Sequence, residues 1–151
     1  MSWIQSSNYT NVAISATIMG VNTQTLTAYL TTQIGSTTTT ANEIARATVA
    51  FPGWNNFTNV ALLNIPNLPA GTYYLTLIAN GDSNCTAQTN CSPGAWAGTS
   101  MPSVAAASGV TPNGSYYTPS NPGPGIAAYP PASSLNALIT QSFLFNVMGS
   151  Q

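Results

Sequence analysis

The 151-residue sequence predicts an all-β fold: an antiparallel β-sandwich, jelly-roll-like, with a long Gly/Pro-rich loop region near the C-terminal third. Three observations carry that expectation. Apolar and hydroxyl residues alternate with period two in run after run. Gly, Pro and Asn bound those runs. Glu, Lys and Arg, which cover helical surfaces, are nearly absent: charged residues are 2% of the chain, against about 25% in ordinary domains. The length suits a single domain with a sizeable core.

The stretch that organises the rest is 68–79. Pro69 fixes one backbone angle, and Gly71 is placed to take the positive φ of a tight bend. A strand follows, with Tyr73, Leu75, Leu77 and Ala79 on one face and Thr72, Tyr74, Thr76 and Ile78 on the other. Both faces are apolar or weakly polar, so this strand is expected at the centre of a sheet, covered on each side.

The other elements follow in chain order. Residues 3–5 form a short strand. Residues 10–18 alternate cleanly, with Val12, Ile14, Ala16 and Ile18 on one face. Residues 20–23 turn the chain, and 25–34 repeat the pattern with Leu26, Ala28, Leu30 and Ile34 inward and Thr25, Thr27, Tyr29, Thr31 and Gln33 outward. Two such runs joined by a short polar turn suggest a hairpin or neighbouring strands of a meander. Residues 35–40 are a Thr-dominated loop. Glu43 and Arg46 at i,i+3 would suit a helical turn, but the alternation of Ala45, Ala47, Val49 and Phe51 with β-branched Thr48 favours a strand over 43–51. Pro52 and Gly53 turn, and 60–65 make a short strand.

After Ala79 the character changes. Residues 80–93 are a polar loop with the only two cysteines, Cys85 and Cys91. Residues 94–98, with Trp96, suggest a short strand. The proline-rich region 105–131 forbids long regular ladders, with a short strand expected near 115–118. Residues 133–139 suggest one helical turn. Residues 141–148 close the fold as a strand with Phe143, Phe145 and Val147 on the core face. In all, about eight short strands fit a sandwich.

Composition also bounds function. One Arg and no Lys cannot neutralise nucleic-acid phosphates or an anionic membrane surface. No apolar run approaches the roughly 20 residues of a membrane span, so direct membrane insertion is not expected. Residues 1–20 lack the basic start and apolar core of a signal peptide, so export would require a leader already removed. A surface of hydroxyls and amides with almost no charge favours self-association unless glycans or an assembly cover it.

Catalytic machinery is thin. Without His or Lys, no base stands ready beside a nucleophile. The carboxylates are Glu43 and Asp82, on different segments, whereas glycoside hydrolysis normally sets two across one bond. No enzyme activity and no cofactor are expected. Asn80 to Asn84, around Asp82, reads as a polar turn rather than a calcium loop. A disulfide between Cys85 and Cys91 is expected, because zinc would need further Cys or His ligands that the chain lacks. It would contribute about 2 kcal/mol by closing a short loop and points outside the cytosol.

The aromatic residues are the more informative group. Trp3, Trp54 and Trp96 stand beside turn residues, and Tyr116, Tyr117 and Tyr129 lie in the proline-rich region. Sugar rings stack on Trp and Tyr faces while Asn, Gln and Thr supply hydrogen bonds. The competing role for each ring is to plug an end of the sandwich beneath a loop. Trp54 and Trp96 are the leading ligand-binding candidates, with Tyr116 and Tyr117 behind them. Five Asn-X-Ser/Thr sequons stand at Asn8, Asn56, Asn84, Asn90 and Asn113. In a chain so rich in Asn, Ser and Thr many arise by chance, and they carry information only where the source glycosylates its surface proteins.

Several stretches resemble the ectodomains of bacterial exported proteins of the PEP-CTERM sorting type. They are Trp3-x-Gln5 with Tyr9-Thr10-Asn11-Val12-Ala13-Ile14-Ser15-Ala16-Thr17, then Ala28-Tyr29-Leu30-Thr31-Thr32-Gln33-Ile34-Gly35. Leu68-Pro69-Ala70-Gly71-Thr72-Tyr73-Tyr74-Leu75-Thr76-Leu77 and the closing Phe143-Leu144-Phe145-Asn146-Val147 belong with them. The resemblance implies a secreted β-sandwich tied to extracellular polysaccharide and the cell surface, with no catalytic residues. The sorting tail of that family does not follow Gln151. The combined expectation is an extracellular or cell-surface, non-catalytic protein whose partner is polysaccharide, or alternatively a self-assembling subunit of a fibre or sheath.

Overall fold

The computed structural model describes residues 1–35, 37–80, 94–100, 109–117, 136–138 and 141–151. They form an antiparallel sandwich of two main layers. The strands are β1 (Ser2–Gln5), β2 (Tyr9–Gly20), β3 (Thr25–Thr31), β4 (Glu43–Ala50), β5 (Gly53–Leu68), β6 (Gly71–Asn80), β7 (Gly94–Trp96), β8 (Gly98–Ser100), β9 (Val110–Tyr117), β10 (Asn136–Leu138), β11 (Gln141–Phe143) and β12 (Phe145–Ser150). A 3₁₀ turn, Thr40–Asn42, precedes β4 and is capped by Thr39, whose hydroxyl accepts the Ala41 N–H. One layer runs β10-β9-β1-β6-β3-β4; the other runs β12-β2-β5, with β7 also on β2. The strands β8 and β11 pair with each other as a separate ribbon.

The alternation seen in the sequence determines which faces meet. Val12, Ile14, Ala16 and Ile18 of β2 are buried, as are Leu26, Ala28 and Leu30 of β3 and Tyr73 and Leu75 of β6. These faces, with Leu63, Ile65 and Leu68 of β5, form one core. Trp3 lies at its centre, fully buried. Its ring packs 5.7 Å from Tyr73 in its own layer and 5.5 Å from Phe145 of the opposite layer. It thus joins the two sheets and does not stand at a turn.

The organising segment is pinned from several sides. Gln5 Nε2 donates to the carbonyls of Leu68 at 2.8 Å, Pro69 at 3.0 Å and Ser7 at 3.0 Å. The Tyr73 hydroxyl donates to the Pro69 carbonyl at 2.7 Å, and the Ala70 N–H donates to Asn8 Oδ1 at 2.9 Å. These bonds satisfy a turn that the backbone ladder cannot reach. β6 is central, between β1 and β3. Its second face (Thr72, Tyr74, Thr76 and Ile78) stays half-buried, so it is less covered than the sequence suggests.

Several expectations are corrected. Gly71 has no positive φ: it is already in register with Gln5, and among the described residues the left-handed glycines are Gly35, Gly53 and Gly109. β2 and β3 are not a hairpin but belong to opposite layers, because each finds its ladder elsewhere. Thr27 and Thr31 are buried despite their outward parity. The short strand foreseen at 60–65 is part of the much longer β5. The helical turn foreseen at 133–139 is replaced by β10 over Asn136–Leu138. The closing strand is broken at Leu144 into β11 and β12. Pro112 lies inside β9, in register with Trp3 where the β1–β9 pairing shifts, so the irregularity accommodates the missing N–H.

Candidate functional site

Only one run on the described surface combines exposed rings with amides, and it arises from a mismatch of registers. β2 and β5 pair at Ile18–Thr58 and again at Gly20–Gly53. Between those points β2 advances two residues (20 − 18) and β5 five (58 − 53), so β5 carries three more residues than its partner. The excess forms a bulge over Trp54, Asn55, Asn56 and Phe57. Gly53, at φ 113°, opens it in a conformation that side-chain-bearing residues rarely adopt. All four bulge residues are exposed, with Trp54 at 44% and Phe57 at 46%. An aromatic–amide–amide–aromatic run therefore projects from β5, the edge strand of its sheet.

The structure disperses the four sequence candidates. Trp54 is on this bulge. Trp96 lies on β7, across β2 from β5, in register with Ile18. One face of its ring stacks on Phe143 at 4.7 Å, and its Nε1 donates to the Leu144 carbonyl at 2.7 Å. Trp96 thus secures a fork in the sheet, where β7 and β12 share one edge of β2. There Ala97 N–H donates to Thr17 O, Leu144 N–H to Ala97 O and Thr17 N–H to Leu144 O. Tyr116 and Tyr117 are in the other layer, on β9, in register with Ala137 and Asn136 of β10. Phe57 was missed in the sequence, since a lone Phe between Asn and Thr looks like an ordinary strand residue. Its one signal was position, two residues after a Trp-Asn pair beside Gly53.

Glu43 and Arg46 are committed to each other. The guanidinium meets the carboxylate through two bonds, Nε–Oε1 at 2.5 Å and Nη2–Oε2 at 2.8 Å, and lies 5.4 Å from the centre of the Tyr29 ring. Asp82, Cys85 and Cys91 lie outside the described residues, so the expected disulfide does too. Among the described residues no group of three or more His, Cys, Asp or Glu side chains could hold a metal ion, and no helix is long and apolar enough to cross a membrane.

Comparison with protein-family models, curated proteins and solved structures finds no match. Function must therefore be argued from the surface itself.

That surface is built of hydroxyls and amides. On the β4-β3-β6 side, Thr27 and Thr48 hydroxyls meet at 3.1 Å, and Asn80 Nδ2 donates to Thr25 and Thr27 Oγ1, each at 3.0 Å. On the other layer, Asn146 Nδ2 donates to Ser15 Oγ and Asn59 Oδ1 at 3.4 Å. Cross-strand pairs of this kind occupy the place that ion pairs hold in ordinary sheets.

Proposed function

We propose that this chain is a non-catalytic, exported surface or matrix protein that contacts neutral polysaccharide through the Trp54–Phe57 bulge. The observation that carries the reading is the bulge: two exposed rings flanking two exposed amides, outside the ladder and without a charge nearby in sequence. Apolar sugar faces suit the rings, and ring hydroxyls suit the amides. The absence of His and Lys and the engagement of Glu43 by Arg46 support binding without catalysis. The resemblance to PEP-CTERM-type exported proteins supports the same setting.

Titration of a panel of neutral polysaccharides, followed by tryptophan fluorescence and calorimetry, tests this. Trp54→Ala and Phe57→Ala are each expected to weaken binding about tenfold, matching about 1.4 kcal/mol per stacked ring. No response across the panel, or binding unchanged in both variants, would sink the reading.

A second reading is a subunit that polymerises through β5. Its support is that β5 ends its sheet and that the stretch 58–65, between the bulge and Pro66, carries neither charge nor proline to guard against strand addition.

A further inference from the structure

The five sequons are treated unequally by the fold. Asn8 is held as a clip, its Oδ1 accepting the Ala70 N–H at 2.9 Å. Asn113 is a single unpaired residue of β9, with Pro112 and Gly114 on either side in register with β1 and the β10 pairing starting at Ser115. Asn84 and Asn90 lie outside the described residues. Asn56 is exposed and stands in four successive residues without a partner on β2, on a strand that ends its sheet. The Asn56 backbone carbonyl accepts from Thr58 Oγ1 at 3.4 Å. The sequon's own hydroxyl is thus already turned toward its asparagine.

We propose that Asn56 is an N-glycan acceptor site of the folded chain, with the Trp54 ring as the platform for the first sugar. The donor class is a polyprenyl-pyrophosphate-linked oligosaccharide. The Asn56 amide nitrogen forms a bond to the anomeric carbon, and the anomeric C–O bond breaks. The lipid pyrophosphate departs with the electron pair, and one amide proton passes to the transferase's base. Such an enzyme must draw the sequon into its own groove, which is costly for a segment whose backbone is locked in a ladder. The bulge lowers that cost: Asn56 and Phe57 have no partner on β2, and only Thr58 has to leave its pairing with Ile18. Trp54 stands two residues before Asn56 on the same bulge, and both are exposed. A sugar attached at Asn56 is therefore within reach of the Trp54 ring, which suits its apolar face. A glycan at Asn56 would compete with free polysaccharide for the same ring and amide, and the two are told apart because the covalent product is read by mass.

The test uses the purified folded chain, a single-subunit oligosaccharyltransferase of Asn-X-Ser/Thr specificity, its lipid-linked donor, and a peptide covering residues 50–62 as reference. Peptide mapping is expected to show a glycan at Asn56, none at Asn8, and loss of the Asn56 glycan in Thr58→Ala. The glycosylated chain is expected to melt about 2–4 °C higher than the bare one, a gain that Trp54→Ala removes while keeping the glycan. The site is overturned if Asn56 stays bare in the folded chain, whether or not the peptide is modified, or if Asn8 is modified as readily. A thermal gain that survives in Trp54→Ala overturns the platform role.

Discussion

Met1 shows how much one group can weigh in a chain almost without charge. Its α-amine is fully buried and donates to the Leu75 carbonyl at 2.9 Å, while the Leu75 N–H donates back to the Met1 carbonyl at 2.8 Å. Burial pushes this amine down from 8.0 to about 5. Between those values the unfolded chain binds a proton that the folded chain refuses, so stability rises with pH across the interval and falls as the pH drops through it. With no His in the chain, little else titrates there. For the 151-residue chain, urea denaturation is expected to show stability falling by up to about 4 kcal/mol between pH 8 and pH 5, from roughly three pH units at about 1.36 kcal/mol each. A flat profile over that range would show the amine to be solvated. Asn11 is a second residue-scale device: its φ of 51° lets Tyr9 and Val12 both turn inward, and Asn tolerates that backbone better than most residues.

Elements here are defined by where they break. One edge of β2 is shared by β7 and β12, and the ribbon β8–β11 leaves the sheet between them. The Trp96–Phe143 stack and the Trp96 bond to Leu144 hold that divergence closed. Gly94 allows β7 to approach at all. A methyl group there would lie 2.2 Å from Phe51 Cε1 and 2.8 Å from the Met19 carbonyl oxygen. The Phe51 ring could rotate, but the Met19 backbone cannot leave without breaking the ladder. Gly94→Ala is therefore expected to destabilise the protein by about 1–3 kcal/mol in denaturant melts. Full stability in that variant would mean that β7 is not seated on β2 as described. The bulge in β5 obeys the opposite logic. A methyl group at Gly53 would meet nothing within 4 Å, so there the positive φ, and not crowding, calls for glycine.

At the scale of the whole molecule, a surface nearly without charges has to be kept in order by other groups, and rows of Thr, Ser and Asn cross both layers. Its two best-described edges are unlike. β4 carries the Glu43–Arg46 pair, whereas β5 is uncharged from Gly53 to Leu68. If β5 recruits a neighbouring strand, light scattering should show particle mass growing with concentration, and lysines at the exposed positions Ala61 and Asn64 should hold the chain monomeric. A monodisperse monomer in both would remove the polymer reading. The sequence by itself determined the all-β class, the inward apolar faces of β2 and β3, and the hydroxyl–amide character of the surface. Each of these is a local quantity, written in period-two alternation and composition. Trp54 was legible as a ring beside a turn, as Trp3 and Trp96 were, but not as the exposed one of the three. Only the tertiary structure decided that β2 and β3 part into different layers, that Trp3 bridges the core, that Trp96 is engaged at a fork, and that Phe57 joins Trp54 on a bulge. Those depend on which strand pairs with which and in what register. Register is a property of two segments at once, and neither segment states it alone.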